Sequence, residues 1–205
     1  MADYGMSDEE LEQMYQEVIL DAAKNPHGRL AGGGQTPGLP GSEGDTAGGL
    51  DGQVTMQVEH EYCVPAESSQ FNPTCGDHAT IHVEVSDPDD GSARRIERIV
   101  WQGDGCSISQ ASLSIMVDLV EGKTVDEALA LEGDFRSLME SRGAGINDEK
   151  AEEALGDAVV FRGVSKYPMR IKCALLGWEG MKACLADALT RIDKAGGQLK
   201  ARREQ

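Results

Sequence analysis

The chain has 205 residues, 40% of them apolar and 4% aromatic, and its 36 acidic against 19 basic side chains leave a formal net charge of -17. The apolar share is enough for one core, whereas the charge excludes nucleic acid and anionic membranes as partners, since both demand a basic face. A basic or neutral protein surface is the expected partner.

Five cysteines are an odd number, so a complete internal disulfide framework is excluded. Met1 to Asp8 is acidic and lacks the apolar core of a secretory signal, and no run of about 18 apolar residues predicts a membrane span. A cytoplasmic location is expected, where clustered cysteines serve metal or thiol chemistry more often than stapling.

In chain order, Ser7-Asp8-Glu9-Glu10 has the form of a capping box, and Leu11, Met14, Tyr15, Val18, Ile19 and Ala22 share one stripe of the amphipathic helix that follows, ending near Asn25-Pro26. From Ala31 to Gly52 the composition turns glycine-rich and nearly devoid of apolar residues, as in a flexible insert. It has neither the Gly-x-Gly-x-x-Gly spacing nor the Gly-Lys-Ser/Thr ending of a phosphate loop. No Lys or Arg occurs between Leu30 and Arg94, so this half is strongly acidic.

Val54, Met56 and Val58 alternate with polar residues and predict a first strand; Ile81, Val83 and Val85 alternate with Thr80, His82 and Glu84 in a second. The turn Asp87-Pro88-Asp89-Asp90-Gly91 leads into a third, Ile96 to Trp101. Short turns between sequential strands imply an antiparallel sheet. The periodicity then predicts a helix over Ser107 to Val120, a second capping box at Thr124-Val125-Asp126-Glu127 opening a helix to about Leu131, and a separate helical piece from Phe135 to Glu140. Asn147 is the expected cap of a short acidic segment. Tyr167-Pro168 opens the last long helix, with Ile171, Leu175, Trp178, Met181 and Leu185 on its apolar stripe, and a polar, mobile tail from Arg191 onward.

The chemistry concentrates in the turns. In Asn72-Pro73-Thr74-Cys75-Gly76-Asp77, Pro73 stiffens the chain and Gly76 relaxes it, so that Cys75 and Asp77 can face one centre. Cys106 follows the turn Gly103-Asp104-Gly105 and stands at a helix N-terminus, where the dipole favours a thiolate. Strand pairing puts Cys75 and Cys106 at the same end of the sheet. With Cys173 in the first turns of the last helix, these residues supply the four N, S or O donors of a tetrahedral zinc site, although spacing alone equally permits three unrelated cysteines. Cys184 lies eleven residues past Cys173, about 16 Å along a helix, too far to share an ion, and is expected as a small buried apolar residue. Cys63 reads as an exposed free thiol in a polar loop, with a role as auxiliary sulfur carrier the less favoured alternative. His82, on the polar face of its strand, is expected to be solvated, and His78 could stand in for Asp77. No catalytic triad order or His-Glu-x-x-His helix is present.

Three blocks carry a family resemblance: Phe71-Asn72-Pro73-Thr74-Cys75-Gly76-Asp77, Gly103-Asp104-Gly105-Cys106-Ser107-Ile108-Ser109-Gln110-Ala111-Ser112, and Phe161 through Lys172-Cys173-Ala174-Leu175-Leu176. Together with Asn25-Pro26-His27-Gly28-Arg29 they resemble the SufU branch of the IscU/NifU N-terminal family over most of residues 7 to 190. IscU proteins resemble one another in a His directly before the third cysteine, where this chain has Lys172; they also lack the insert at roughly Gly143 to Ser165 and carry a Leu-Pro-Pro-Val-Lys motif not found here. The resemblance implies an α+β fold, with a small three-stranded antiparallel sheet packed against helices in one domain over 1–192. Residues 31–53 would be a flexible insert, 143–165 the SufU-type insert and 193–205 a tail.

It also implies a zinc-dependent sulfur acceptor, a sulfurtransferase that takes persulfide sulfur from a SufS-type cysteine desulfurase and passes it toward downstream Suf scaffold proteins. Cys75, Asp77, Cys106 and Cys173 would hold Zn2+, Cys75 being the acceptor that leaves the metal, and Arg170 would assist. A scaffold on which iron or a 2Fe-2S cluster is assembled is the alternative. A zinc hydrolase is disfavoured, since four ligands leave no open position for water.

Overall fold

Alternating apolar residues and tight turns build the sheet of the computed structural model, which describes residues 8–30, 56–60, 62–88 and 91–203. Strands β1 (Cys63–Phe71), β2 (His78–Ser86) and β3 (Ile96–Asp104) lie in that order and pair antiparallel throughout. The expected α+β architecture is therefore present, but the first strand is not where the alternation of Val54, Met56 and Val58 put it. Val54 falls outside the described residues, and 56–60 form no strand. The actual β1 is polar and contains Pro65, which is tolerated because this strand is at the sheet edge.

The apolar face of β2, with Ala79, Ile81, Val83 and Val85, is buried against the helices. Helix α1 (Asp8–Lys24) lies on α2 (Ser107–Val120), and α2 in turn packs on α5 (Pro168–Arg203), which runs along β1 and β2. The described residues do not include Ser7, the expected cap of α1. Helix α3 (Val125–Glu140) has the capping box expected at Thr124, its hydroxyl accepting from the Glu127 amide at 3.2 Å, but it continues through Gly133 as one helix where two pieces were expected. The packing of Leu131, Phe135 and Leu138 on the core outweighs the small helix penalty of that glycine. The short helix α4 (Glu149–Leu155) is capped by Asp148, one residue beyond the expected Asn147. Two 3₁₀ turns, Gly156–Arg162 and Val164–Lys166, lead into α5. That helix also takes in most of the segment expected as a tail, reaching Arg203.

The core is stitched by aromatics. Phe135 stacks on Trp178 at 4.6 Å between ring centroids and meets Phe161 edge-on at 5.6 Å. Trp178 donates its indole N–H to Ser112 Oγ at 3.1 Å, and that hydroxyl donates to the Ala174 carbonyl at 2.6 Å, locking α2 to α5 just beyond Cys173.

The outer face of the sheet is also covered. Residues 56–60 lie across it, and the Glu59 and His60 amides donate to Glu84 at 2.9 and 2.8 Å. His82, expected to be solvated, is fully buried between Glu67 and Glu84, each 3.2 Å from one of its ring nitrogens. Arg98 completes the cluster, 3.2 Å from Glu84 and 2.9 Å from Glu59.

Candidate metal and thiol site

Three elements deliver the site to one end of the sheet. The turn between β1 and β2 carries Cys75 and Asp77, the N-cap position of α2 carries Cys106, and the second turn of α5 carries Cys173. The first turn is wound around Asn72, which is almost fully buried. Its amide donates to the Asp77 carbonyl at 2.8 Å, its carbonyl accepts from the Gly76 amide at 2.9 Å, and its side-chain oxygen accepts from the Thr74 amide at 3.1 Å. Gly76 takes φ +80, a left-handed conformation that turns the chain back toward β2. The Asn72 carboxamide then donates to Cys173 Sγ at 3.5 Å, tying this turn to α5. Sequence reasoning missed Asn72 as a site residue; an Asn whose side chain bonds the backbone two residues on is the signal that could have found it.

Ligand atoms from Cys75, Asp77 and Cys173 all lie within 4.8 Å of one another, and the Cys75 and Cys173 sulfurs are 3.3 Å apart. Cys106 adjoins this set without belonging to it. Its amide donates to Asp77 Oδ1 at 3.1 Å, and its sulfur lies 3.8 Å from the Ser109 hydroxyl. Among the described residues, neither His78 nor His82 is part of such a cluster. Cys184 is fully buried, as expected, with its thiol 3.4 Å from the Ile81 carbonyl, and burial raises its pKa. Cys63 is half-buried at the first position of β1, opposite Ser86, so it stands at the end of the sheet away from Cys75. Burial first, then Glu97 and Glu84, push its thiol pKa up.

Exposure differs sharply within the cluster. Cys173 is 2% and Asp77 4% exposed, whereas Cys75 is open to solvent. Burial chiefly, with the neighbouring Cys75, Cys106 and Asp77, drives the Cys173 thiol well above the usual thiol range. For Asp77, burial works against ionisation, yet the surrounding Cys75, Cys106 and Ser109 donors together hold its carboxyl below the usual value. Among the described residues, the other oxygen of that carboxylate, Oδ2, is buried with no hydrogen-bond partner. A buried, ionised oxygen left unpaired is costly unless a cation receives it. Two sulfurs and a carboxylate oxygen within 4.8 Å of one another, on a carboxylate with one oxygen left orphaned among the described residues, suit a borderline-soft divalent cation such as zinc, and its charge would bring the buried thiol down to the thiolate.

Arg170 and Lys172 are both exposed, and neither forms an ion pair among the described residues. Arg170 lines a cavity of about 670 Å³ that is also lined by Cys106. No described helix is long and apolar enough to cross a membrane.

The family model described as NifU-like N terminal domain matches residues 14–174. The chain is 32% identical to the iron-sulfur cluster assembly scaffold protein IscU of Streptococcus pyogenes over 175 residues, covering 85% of this chain and 84% of that protein. It is 30% identical to the zinc-dependent sulfurtransferase SufU of Bacillus subtilis over 176 residues, 86% of this chain and 92% of that one. Among solved structures, one described as an iron-sulfur cluster assembly scaffold protein for the SUF system of Fervidobacterium islandicum superposes with a TM-score of 0.53 at 26% identity. That superposition covers 85% of this chain and 98% of the other. The sheet order, the converging thiols and the extent of these matches lead to one conclusion: the chain belongs to the NifU-like N-terminal domain family, the family of the IscU and SufU iron-sulfur cluster assembly proteins.

Proposed function

We propose that this protein is a zinc-dependent sulfur acceptor that takes persulfide sulfur from a SufS-type cysteine desulfurase in the cytoplasm and passes it toward Suf scaffold proteins for cluster assembly. The observation that carries the reading is one exposed thiol, Cys75, 3.3 Å from a buried one, Cys173, with a carboxylate oxygen of Asp77 within 4.8 Å of both. Lys172, where IscU proteins have His, and the similarity to a zinc-dependent sulfurtransferase support it further.

Cys75, Asp77 and Cys173 would hold zinc, with Cys106, which adjoins them through its amide bond to Asp77, as the fourth ligand on a small shift of its thiol; zinc keeps thiols deprotonated at neutral pH without redox chemistry of its own. Asp77 and Cys173, being buried, serve as the fixed part of the site. The Cys75 thiolate attacks the outer sulfur of the donor persulfide. A new S–S bond forms at Cys75, the donor S–S bond breaks, and its electron pair leaves with the donor cysteine as a thiolate, so no external oxidant or reductant is consumed. Arg170, exposed and without a carboxylate partner among the described residues, offsets the charge of two approaching anionic sulfurs.

Incubation with the desulfurase and cysteine, followed by mass-spectrometric mapping, is expected to place the persulfide on Cys75. A Cys75→Ala protein that still accepts sulfur sinks the proposal. The second reading, a scaffold that assembles a 2Fe-2S cluster, draws on the equally close similarity to a scaffold IscU. It predicts iron and sulfide near stoichiometry after anaerobic purification, where the acceptor reading predicts zinc.

A further inference from the structure

We infer that Asn72 is the residue that keeps Cys173 on the ion when Cys75 departs: its carboxamide N–H bears on one of the two adjacent sulfurs and makes that one the anchor. This rests on the sulfur-acceptor reading and accounts for how the site tells its two closest thiols apart. Cys75 and Cys173 have the same chemistry, and their sulfurs are 3.3 Å apart. Each sulfur also has a main-chain carbonyl near it, that of Asn72 at 4.0 Å from Cys75 and that of Met169 at 3.8 Å from Cys173. What separates them is a side-chain donor. The Asn72 carboxamide reaches Cys173 at 3.5 Å, and among the described residues no side-chain N–H or O–H donor reaches Cys75.

Thr74 settles which end of the carboxamide faces the sulfur. Its amide can only donate, at 3.1 Å, so the Asn72 oxygen turns to Thr74 and the N–H end to Cys173. Asn72 is 3% and Cys173 2% exposed, so water does not compete for either partner. A buried sulfur that carries charge needs a donor more than an exposed one does. Cys75 is open to solvent, and water can solvate it when it leaves the ion and when it returns. Cys173 has no such supply, and the Asn72 N–H takes the place of that water. With Cys75 away carrying sulfur, Asp77, Cys106 and Cys173 remain, and the bond from Asn72 steadies both the charge and the orientation of the Cys173 side chain, as partners bonded to metal ligands do. Asn72 does not touch the moving sulfur; it acts through Cys173 and is a positioning residue.

The test uses the full-length protein, wild type and Asn72→Ser, each alone and in the Cys75→Ala background, which stands for the stage with Cys75 away. In Asn72→Ser the hydroxyl can still accept from the Thr74 amide but is too short to reach Cys173. Competition with a chelator reads zinc affinity, and the thiolate-to-metal charge-transfer band of the cobalt-loaded protein reads the charge on sulfur. Zinc release is followed while the desulfurase and cysteine place persulfide on Cys75. Asn72→Ser should weaken zinc binding about tenfold, the lower end of what losing a partner of a metal ligand costs, and by the same factor in the Cys75→Ala background. The cobalt band should move to longer wavelength in both backgrounds, and Asn72→Ser should shed zinc as persulfide forms where wild type keeps it. A purely structural part in the Cys75 turn gives instead an affinity loss that vanishes in Cys75→Ala, or an unmoved band; either result overturns the inference, as does wild type shedding zinc equally. Should Asn72→Ser not fold, wild type loaded with a magnetically active cadmium isotope decides. A scalar coupling between the Asn72 carboxamide hydrogen and the ion is expected, and its absence overturns the inference. If wild type takes no persulfide from the desulfurase, the acceptor reading falls and the anchor role falls with it; if wild type takes it and the band of Asn72→Ser does not move, only the anchor role falls.

Discussion

Replacing Glu84 by Gln probes the buried cluster that straps residues 56–60 onto the sheet. The carboxylate is fully buried and receives the Glu59 and His60 amides at 2.9 and 2.8 Å, with His60 Nδ1 at 2.9 Å and Arg98 at 3.2 Å. Burial alone would raise its pKa, but the amides of Glu59 and His60 and the two imidazoles outweigh it and lower the value from 4.5 to about 2. A carboxyl lowered this far is worth about 3 kcal/mol of stability once ionised. Because the folded pKa lies below the unfolded one, that contribution is complete above about pH 4.5 and is lost as pH falls toward about 2. Urea unfolding of wild type and Glu84→Gln at intervals from pH 7 to pH 2 reads it out as a difference. The gap should be about 3 kcal/mol at neutral pH, plus a constant offset from the misplaced amide N–H groups, and should close by about 1.4 kcal/mol per pH unit below pH 4.5. Any ion held by the cysteine cluster is lost from both proteins alike and cancels. Parallel stability curves across this range would refute the ionised, buried Glu84.

Two further substitutions test the neighbourhood of the thiols. Gly103 has φ +144 and pairs with Ala79, and a Cβ there would run into the His78 carbonyl; Gly103→Ala should cost about 3 kcal/mol by thermal or chemical unfolding and lower metal content, since it displaces the turn that leads to Cys106. Cys184→Ala should cost about 1–2 kcal/mol, the loss of one buried sulfur, while leaving metal stoichiometry and persulfide formation unchanged. A change in metal content with Cys184→Ala would contradict its place in the apolar core.

Elements with strong local signals were legible. The Thr124 capping box, the Ser107 to Val120 periodicity and the Pro168 helix start all appear in the structure, because each is decided by side chains within a few residues of one another. Strand β1 was not legible: Pro65, Glu67, Ser68, Ser69 and Gln70 have little strand propensity, and only pairing with β2 across a hairpin makes them a strand. His82 and Glu84 sit on an alternation that reads as solvent-facing. They are buried because 56–60 crosses that face, a contact between segments more than twenty residues apart.

For the candidate site, the residue types and turns of Cys75, Asp77, Cys106 and Cys173 were determined by the sequence itself, since proline, glycine and helix-start chemistry act locally. Tertiary structure decided which of them meet. It brought Cys75, Asp77 and Cys173 within 4.8 Å, set Cys106 beside them through its amide, left Asp77 Oδ2 without a partner among the described residues, and exposed Cys75 while burying Cys173. Distance and burial are properties of packed surfaces from β1, α2 and α5, which are far apart along the chain, so no local pattern can encode them.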